Sequence, residues 1–159
     1  MNIMTPRVEF AQSELELIAQ ATSDACIATR VRQLSRIITR VYDDALRSHK
    51  ITASQFTLLT QLAHTDGITA AEIGVDLDIE KSTLSRNLKR LLALGHINMD
   101  PPAGRRGRGL HLTPRGKAVI REAFPVWQQA QKRAIDVMGQ ESRETLDGLL
   151  TQAEKLAAA

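Results

Sequence analysis

Residues 79–97 read IEKSTLSRNLKRLLALGHI, and a single helix accounts for their spacing. Leu84, Leu88 and Leu91 step by 4 and 3, the interval that brings side chains onto one helical face. Away from that stripe lie Ser82, Thr83, Ser85, Arg86, Lys89 and Arg90, and positions 82, 86 and 89 again step by 4 and 3. Lys81 or Ser82 stands near the helix start, and Gly95 is placed to close it as a left-handed cap. A surface helix needs one apolar stripe, and any soluble residues serve opposite it. Here the opposite side is restricted to small hydroxyls, an amide and cations, a surface suited to approaching a polyanion.

The next residues, NMDPPAGRRGRGLHLTPRGK (98–117), are more basic still. Between Lys81 and Arg121 there are ten Lys and Arg and one acid, Asp100, so this segment carries +9. The other 118 residues carry 11 cations and 17 acids, a balance of −6, within a net charge of +3. A focused positive patch on an otherwise acidic body is the electrostatic footprint of a polyanion binder, against a solvated basic surface with no partner.

Working outward, apolar spacing predicts helix nearly everywhere. Val8, Ala11, Leu15 and Ile18 define a short N-terminal amphipathic helix. Ile27, Val31, Leu34, Ile38, Val41 and Ala45 define a long one over about 24–47, with Arg30, Arg32, Arg36, Arg40 and Arg47 on its wet flank. A third carries Phe56, Leu59, Leu62 and Ala63 on one face, with Thr52 or Ser54 as cap and Gly67 at its end. A shorter helix over 70–77 is anchored by Ile73 and Leu77.

After Gly95 the period changes. HINM and GLHLT alternate like two short strands, and the prolines and glycines between them forbid helix and allow a hairpin tip. Thr113-Pro114 then starts another helix, Thr as cap and Pro at the first helical position. It runs through Val119, Ile120, Phe124, Trp127, Ala134 and Met138, with a kink expected at Pro125. A last helix over 142–157 carries Leu146, Leu149, Leu150, Ala153 and Leu156.

The expected fold is mainly α with a small β-hairpin wing. Two helices joined by a tight turn, the second opening with small polar residues, form a helix-turn-helix, whose second helix enters a major groove about 12 Å wide. Serine and threonine can approach phosphates or either base type, and arginine can pair bidentately with guanine. The helix start also carries partial positive charge that favours phosphate. Taken alone, this helix reads equally well as an ordinary capped surface helix. The hairpin decides between them. Arg105, Arg106 and Arg108 repel one another in a plain turn, but over a minor groove they meet enhanced negative potential. The combination is a winged helix-turn-helix for double-stranded DNA. The flanking helices, left with uncovered apolar stripes, predict pairing of two copies.

The run over 26–117 resembles the MarR family of bacterial transcriptional regulators, through ITASQFTLLTQLA (51–63), AAEIGVDLDIEKSTLSRNLKRLLALGHI (70–97) and GRRGRGLHLTPRG (104–116). The family wing reads Asp-x-Arg-x-x-x-Leu-x-Leu-Thr. Arg106 falls on its arginine, and Gly104 stands where the aspartate that steadies that arginine would be. The resemblance implies a looser wing, offset by Arg105 and Arg108. It implies a homodimer paired through N- and C-terminal dimerisation helices (1–48 and 116–159) around a DNA-binding domain (49–115). It also implies a pseudo-palindromic operator, action as a repressor or less often an activator, and relief by a small anionic or aromatic effector bound between the dimerisation helices and the DNA-binding lobe.

The remaining candidates are weaker. One branch of the family senses peroxides with a cysteine in the first long helix. Aligned on Tyr42, Cys26 sits about two residues early, and Arg30 occupies the partner position, so Cys26 is a candidate redox site against a plain inert cysteine. Arg32, Arg36 and Arg40 are candidates to pair with an effector carboxylate, against solvated flank or intersubunit salt bridges. His49, His64, His96 and His111 show no metal-ligand spacing, and no catalytic grouping or cofactor cradle can be placed, so no enzyme, metal or cofactor is expected. A winged-helix module docking an acidic protein is a third function class. One cysteine and no apolar run near the ~20 residues of a membrane span suit a soluble cytoplasmic protein. At 159 residues the chain can bury roughly 68–70% of its unfolded surface without staples.

Overall fold

The computed structural model describes residues 12–101 and 107–157. The elements in order are α1 (Gln12–Ala25), α2 (Ile27–Leu46), a 3-10 turn (Arg47–His49), α3 (Ala53–His64), α4 (Ala70–Asp76), α5 (Lys81–Ala93), β1 (Ile97–Met99), β2 (Leu110–Leu112), α6 (Pro114–Met138) and α7 (Ser142–Ala157). The two strands pair antiparallel, Ile97 opposite Leu112 and Met99 opposite Leu110. This is the mainly α, single-hairpin winged helix the spacing predicts. The chain divides into two compact units between Ile38 and Thr39.

In the first unit, α1 and α2 separate at Cys26, so the long helix begins at Ile27 rather than at 24. The interruption is brief. The Cys26 amide donates to the Thr22 carbonyl at 3.1 Å, and the Arg30 amide to the Cys26 carbonyl at 3.3 Å. Leu15, Leu17 and Ile18 of α1 and Ile27, Val31 and Ile37 of α2 are all exposed. Val8 and Ala11, the first residues of the expected N-terminal helix, lie outside the described residues.

In the second unit, α3 is the centre, packed against α5, α6 and β2. That position widens its buried arc beyond the predicted stripe. Leu58 is fully buried beside Leu59 and Leu62, whereas Ala63 is exposed. Thr52 caps α3 through a reciprocal box with Gln55, and Thr69 caps α4 in the same way with Glu72. Thr113 caps α6 by accepting from the Gly116 amide at 3.0 Å, with Pro114 at the first helical position. The helix continues through Pro125, which has no N–H for the Arg121 carbonyl. Two residues on, Trp127 stacks on Phe124 with centroids 5.8 Å apart and on Phe56 at 6.2 Å. Phe124, Val137 and Met138 of α6 and Leu146, Leu149, Leu150 and Leu156 of α7 remain exposed.

Candidate nucleic-acid interface

Leu84, Leu88 and Leu91 of α5 are at most 5% exposed and set the rotation of the helix. That rotation leaves Ser82, Ser85, Arg86, Lys89 and Arg90 exposed and Thr83 half-buried. Asn87, between the two sides, donates from Nδ2 to the Thr83 carbonyl at 3.1 Å, and Gln55 of α3 donates to its Oδ1 at 3.4 Å. Beyond the helix, Gly95 adopts φ +69°, the left-handed region that favours glycine. The Gly95 amide then reaches the Leu92 carbonyl at 2.9 Å and the His96 amide the Leu91 carbonyl at 3.0 Å, the Schellman pattern.

The helix starts at Lys81, as the spacing predicts, and its cap is Glu80, whose carboxylate accepts from the Ser82 amide at 2.9 Å and the Thr83 amide at 3.1 Å. The Ser82 hydroxyl donates to the same oxygen. These bonds, led by the Ser82 hydroxyl and supplemented by the Arg86 charge, hold the Glu80 carboxyl below its ordinary range. The first-turn donors expected to attract phosphate therefore already serve an anion of the chain itself. Arg86 lies along its own helix, with Nε donating to the Ser82 carbonyl at 3.4 Å and Nη2 to the Thr83 hydroxyl at 3.2 Å.

The wing is stitched to the turn before α4. Thr69 forms a β-bridge with Gly109, the Leu110 amide donates to the Ile68 carbonyl at 3.0 Å, and the Gly67 amide to the Leu110 carbonyl at 3.0 Å. Gly67 thus serves the wing base; α3 is capped at Thr65. His111 of β2 points one ring nitrogen at each of two carboxylates, Nδ1 to Asp66 and Nε2 to Asp100, both at 3.0 Å. Bonding to Asp66 first, with Asp100 adding to it, raises the His111 pKa above its ordinary value against a smaller opposing effect of burial. Exposed Arg108 donates from Nε to the Asp100 carbonyl. Arg105, Arg106 and Gly104 lie outside the described residues.

The remaining candidates gather no site. Cys26 is half-buried, its thiol held below its ordinary pKa by the Thr29 hydroxyl, then the Thr29 amide, with Arg32 a minor contributor; Arg30 plays no such part. Arg32, Arg36 and Arg40 are exposed, and Arg32 donates to the Ala28 carbonyl of its own helix at 3.3 Å. Among the described residues no three His, Cys, Asp or Glu converge as a metal site. No described helix is long and apolar enough to cross a membrane. A cavity of about 380 Å³ is lined by His49, Lys50, His96, Arg115 and Glu122 among others. Burial, then the Arg115 charge, push the His96 pKa down, and its Nδ1 is buried without a hydrogen-bond partner among the described residues.

Sequence reasoning missed Glu80 and the His111–Asp66–Asp100 group. An acid just before a helix was a readable signal for the first. The second joins residues 45 and 11 positions apart, and no local pattern announces it.

Residues 49–106 match the MarR family. The HTH-type transcriptional regulator TtmR of Methylorubrum extorquens (strain PA1) is 34% identical over 82 residues. That match covers 50% of this chain and only 42% of that regulator, so the chain spans less than half the length of this curated relative. The crystal structure of the Mycobacterium tuberculosis transcriptional regulator MosR superposes with a TM-score of 0.73 at 29% identity, covering 83% of this chain and 98% of MosR. MosR in complex with DNA superposes at 0.72 with 27% identity, covering 82% of this chain and 98% of that one.

Proposed function

We propose, from the premise that the winged lobe of this chain belongs to the MarR family, that the protein is a sequence-specific double-stranded DNA-binding transcriptional regulator acting as a homodimer. One observation carries the reading. Three buried leucines fix the rotation of α5 so that Ser85, Arg86, Lys89 and Arg90 face solvent together. Arg86 is suited to guanine, and the wing cations Arg105, Arg106 and Arg108 to the neighbouring backbone or minor groove. Pairing through the exposed apolar faces of α1, α2, α6 and α7 would present two such helices to the half-sites of a pseudo-palindrome.

The reading extends to a repressor released by a small anionic or aromatic ligand. The cavity bearing Lys50 and Arg115 offers cations for such a ligand, and Arg32, Arg36 and Arg40 offer others. The test is retardation of the DNA upstream of the protein's own gene at several salt concentrations, repeated with a panel of aromatic carboxylic acids. Each neutralised phosphate adds a log–log salt slope of about −0.9. A slope near zero, or no retardation, overturns DNA binding; retardation that no acid in the panel alters removes those ligands as effectors.

A further inference from the structure

A carboxylate accepts hydrogen bonds and cannot donate them. His111 lies 3.0 Å from one carboxylate oxygen at Nδ1 and 3.0 Å from another at Nε2. A neutral imidazole carries one N–H and satisfies one of these two bonds; only the imidazolium satisfies both. The two aspartates sit on different nitrogens of one ring, so the three residues do not converge on a metal ion. The geometry describes a cation bridging two anions.

What it bridges matters more than the pairing itself. Asp66 belongs to the turn between α3 and α4, Asp100 begins the wing loop after β1, and His111 is the middle residue of β2. The group therefore spans the base of the wing. The Asp100 amide donates to the Gly109 carbonyl at 2.9 Å, and its carbonyl accepts from Arg108, so Asp100 also positions the cation that leaves the wing on the β2 side.

We propose that His111 is a positioning residue for the wing: as an imidazolium it clasps Asp66 to Asp100 and holds the wing base in its DNA-binding register, so that operator affinity falls as pH rises. The inference rests on the DNA-binding reading above. Two effects act in the same direction. Deprotonation removes one of the two bonds, loosening either the Asp66 or the Asp100 side. It also removes a positive charge from the wing base.

Among the described residues, the other charges around the clasp are few. Lys117 and Arg121 of α6 share a depression with Asp66, and Glu72 and Asp76 of α4 share another. Carboxylates, Lys and Arg ordinarily keep their charge between pH 6 and 8.5, so His111 is the switching member of the group. With its folded value raised above 6.5, the clasp is fully present below pH 6.5 and is lost as pH climbs through that raised value.

The experiment has two arms. In the DNA-free protein, the imidazole nitrogens of His111 are followed by NMR from pH 5.5 to 9. Both are expected to be protonated at pH 6.5, with a midpoint that falls in Asp66→Asn and Asp100→Asn. Exchange of the Gly67, Asp100 and Leu110 amides, corrected for intrinsic rates, should quicken as His111 titrates. A midpoint that neither substitution moves overturns the clasp. In the second arm, operator affinity of the wild type should weaken at least about fivefold across the titration, the low end of coupling between sites. His111→Gln should be flat over the same range. Equal pH slopes in the two proteins overturn the positioning role even if the NMR arm succeeds. If neither protein binds DNA at any pH while the His111 midpoint shifts as expected, the clasp stands and the functional reading fails.

Discussion

Replacing Gly109 by alanine tests the wing base by space alone. Its backbone is not in the left-handed region, so no conformational penalty enters. A Cβ built there would lie 2.5 Å from the Asp100 carboxylate, 3.0 Å from the Gly67 carbonyl oxygen and 3.3 Å from His111 Nε2. An ordinary contact needs about 3.4 Å, so the carboxylate must retreat by roughly 0.9 Å and the Gly67 carbonyl by roughly 0.4 Å. The carboxylate is the flexible party. The clash falls on Oδ2, so its retreat turns the carboxylate and disturbs the 3.0 Å bond that Oδ1 makes with His111 Nε2, while the Gly67 shift strains the backbone bonds that join the turn to β2. Overpacking of this kind costs about 1–3 kcal/mol. For a chain of this length that is a fall in Tm of about 2–4 °C per kcal/mol, measurable by thermal or urea denaturation. The decisive assay is a double-mutant cycle. In an Asp100→Ala background the worst clash is gone, so Gly109→Ala should cost clearly less than in the wild type. Equal costs in both backgrounds would refute the claim that Gly109 is small to make room for the clasp.

Arg86→Ala should cost about 1–3 kcal/mol of discrimination at one base position, whereas Arg108→Ala should weaken all sequences alike and flatten the salt slope; competition binding across operator variants separates the two. Glu80→Gln removes the carboxylate from the start of α5, so thermal stability should fall while non-specific DNA affinity rises, with the salt slope steeper by about 0.9 for each further phosphate neutralised. An unchanged slope means that no phosphate approaches that helix start. Leu149→Asp and Leu150→Asp on the uncovered face of α7 should raise the dimer dissociation constant in sedimentation measurements, with little change in monomer helicity.

Much of the frame was legible because it is repetitive and local. Leu84, Leu88 and Leu91 recur at helical intervals, and the same leucines are buried. Thr113-Pro114 states a helix start in two residues, and alternation in HINM and GLHLT gives the strand pair. Legibility ended where burial depends on tertiary surroundings. α3 has neighbours on several sides, so Leu58 is buried although it lies off the predicted stripe. The boundary between α1 and α2 falls at Cys26, past the expected start of the long helix near residue 24, and no stop signal in the sequence marks it. The exposed polar residues of α5 were legible by type and face, but what their polar atoms touch was not. Ser82 and the first-turn amides answer to Glu80, and Arg86 answers to Thr83.

These internal partners change how the positive segment acts on a polyanion. Asp100 is the single acid between Lys81 and Arg121, and in the fold its carboxylate is bonded to His111 from the same segment. Glu80, one residue outside the segment, caps the helix that carries its first four cations. Both acids are therefore employed in holding the surface in shape, one at the start of α5 and one at the base of the wing. Formal charge predicts that removing either acid strengthens binding. The geometry divides them. Glu80 competes directly with phosphate for amides, so its loss should favour DNA. The Asp100 carboxylate holds the wing base through His111, so its loss should weaken binding even though the segment becomes more positive, while the Arg108 bond to the Asp100 backbone carbonyl stays available. Opposite signs for Glu80→Gln and Asp100→Asn in one salt titration would separate preorganisation from net charge; equal signs would leave net charge as sufficient.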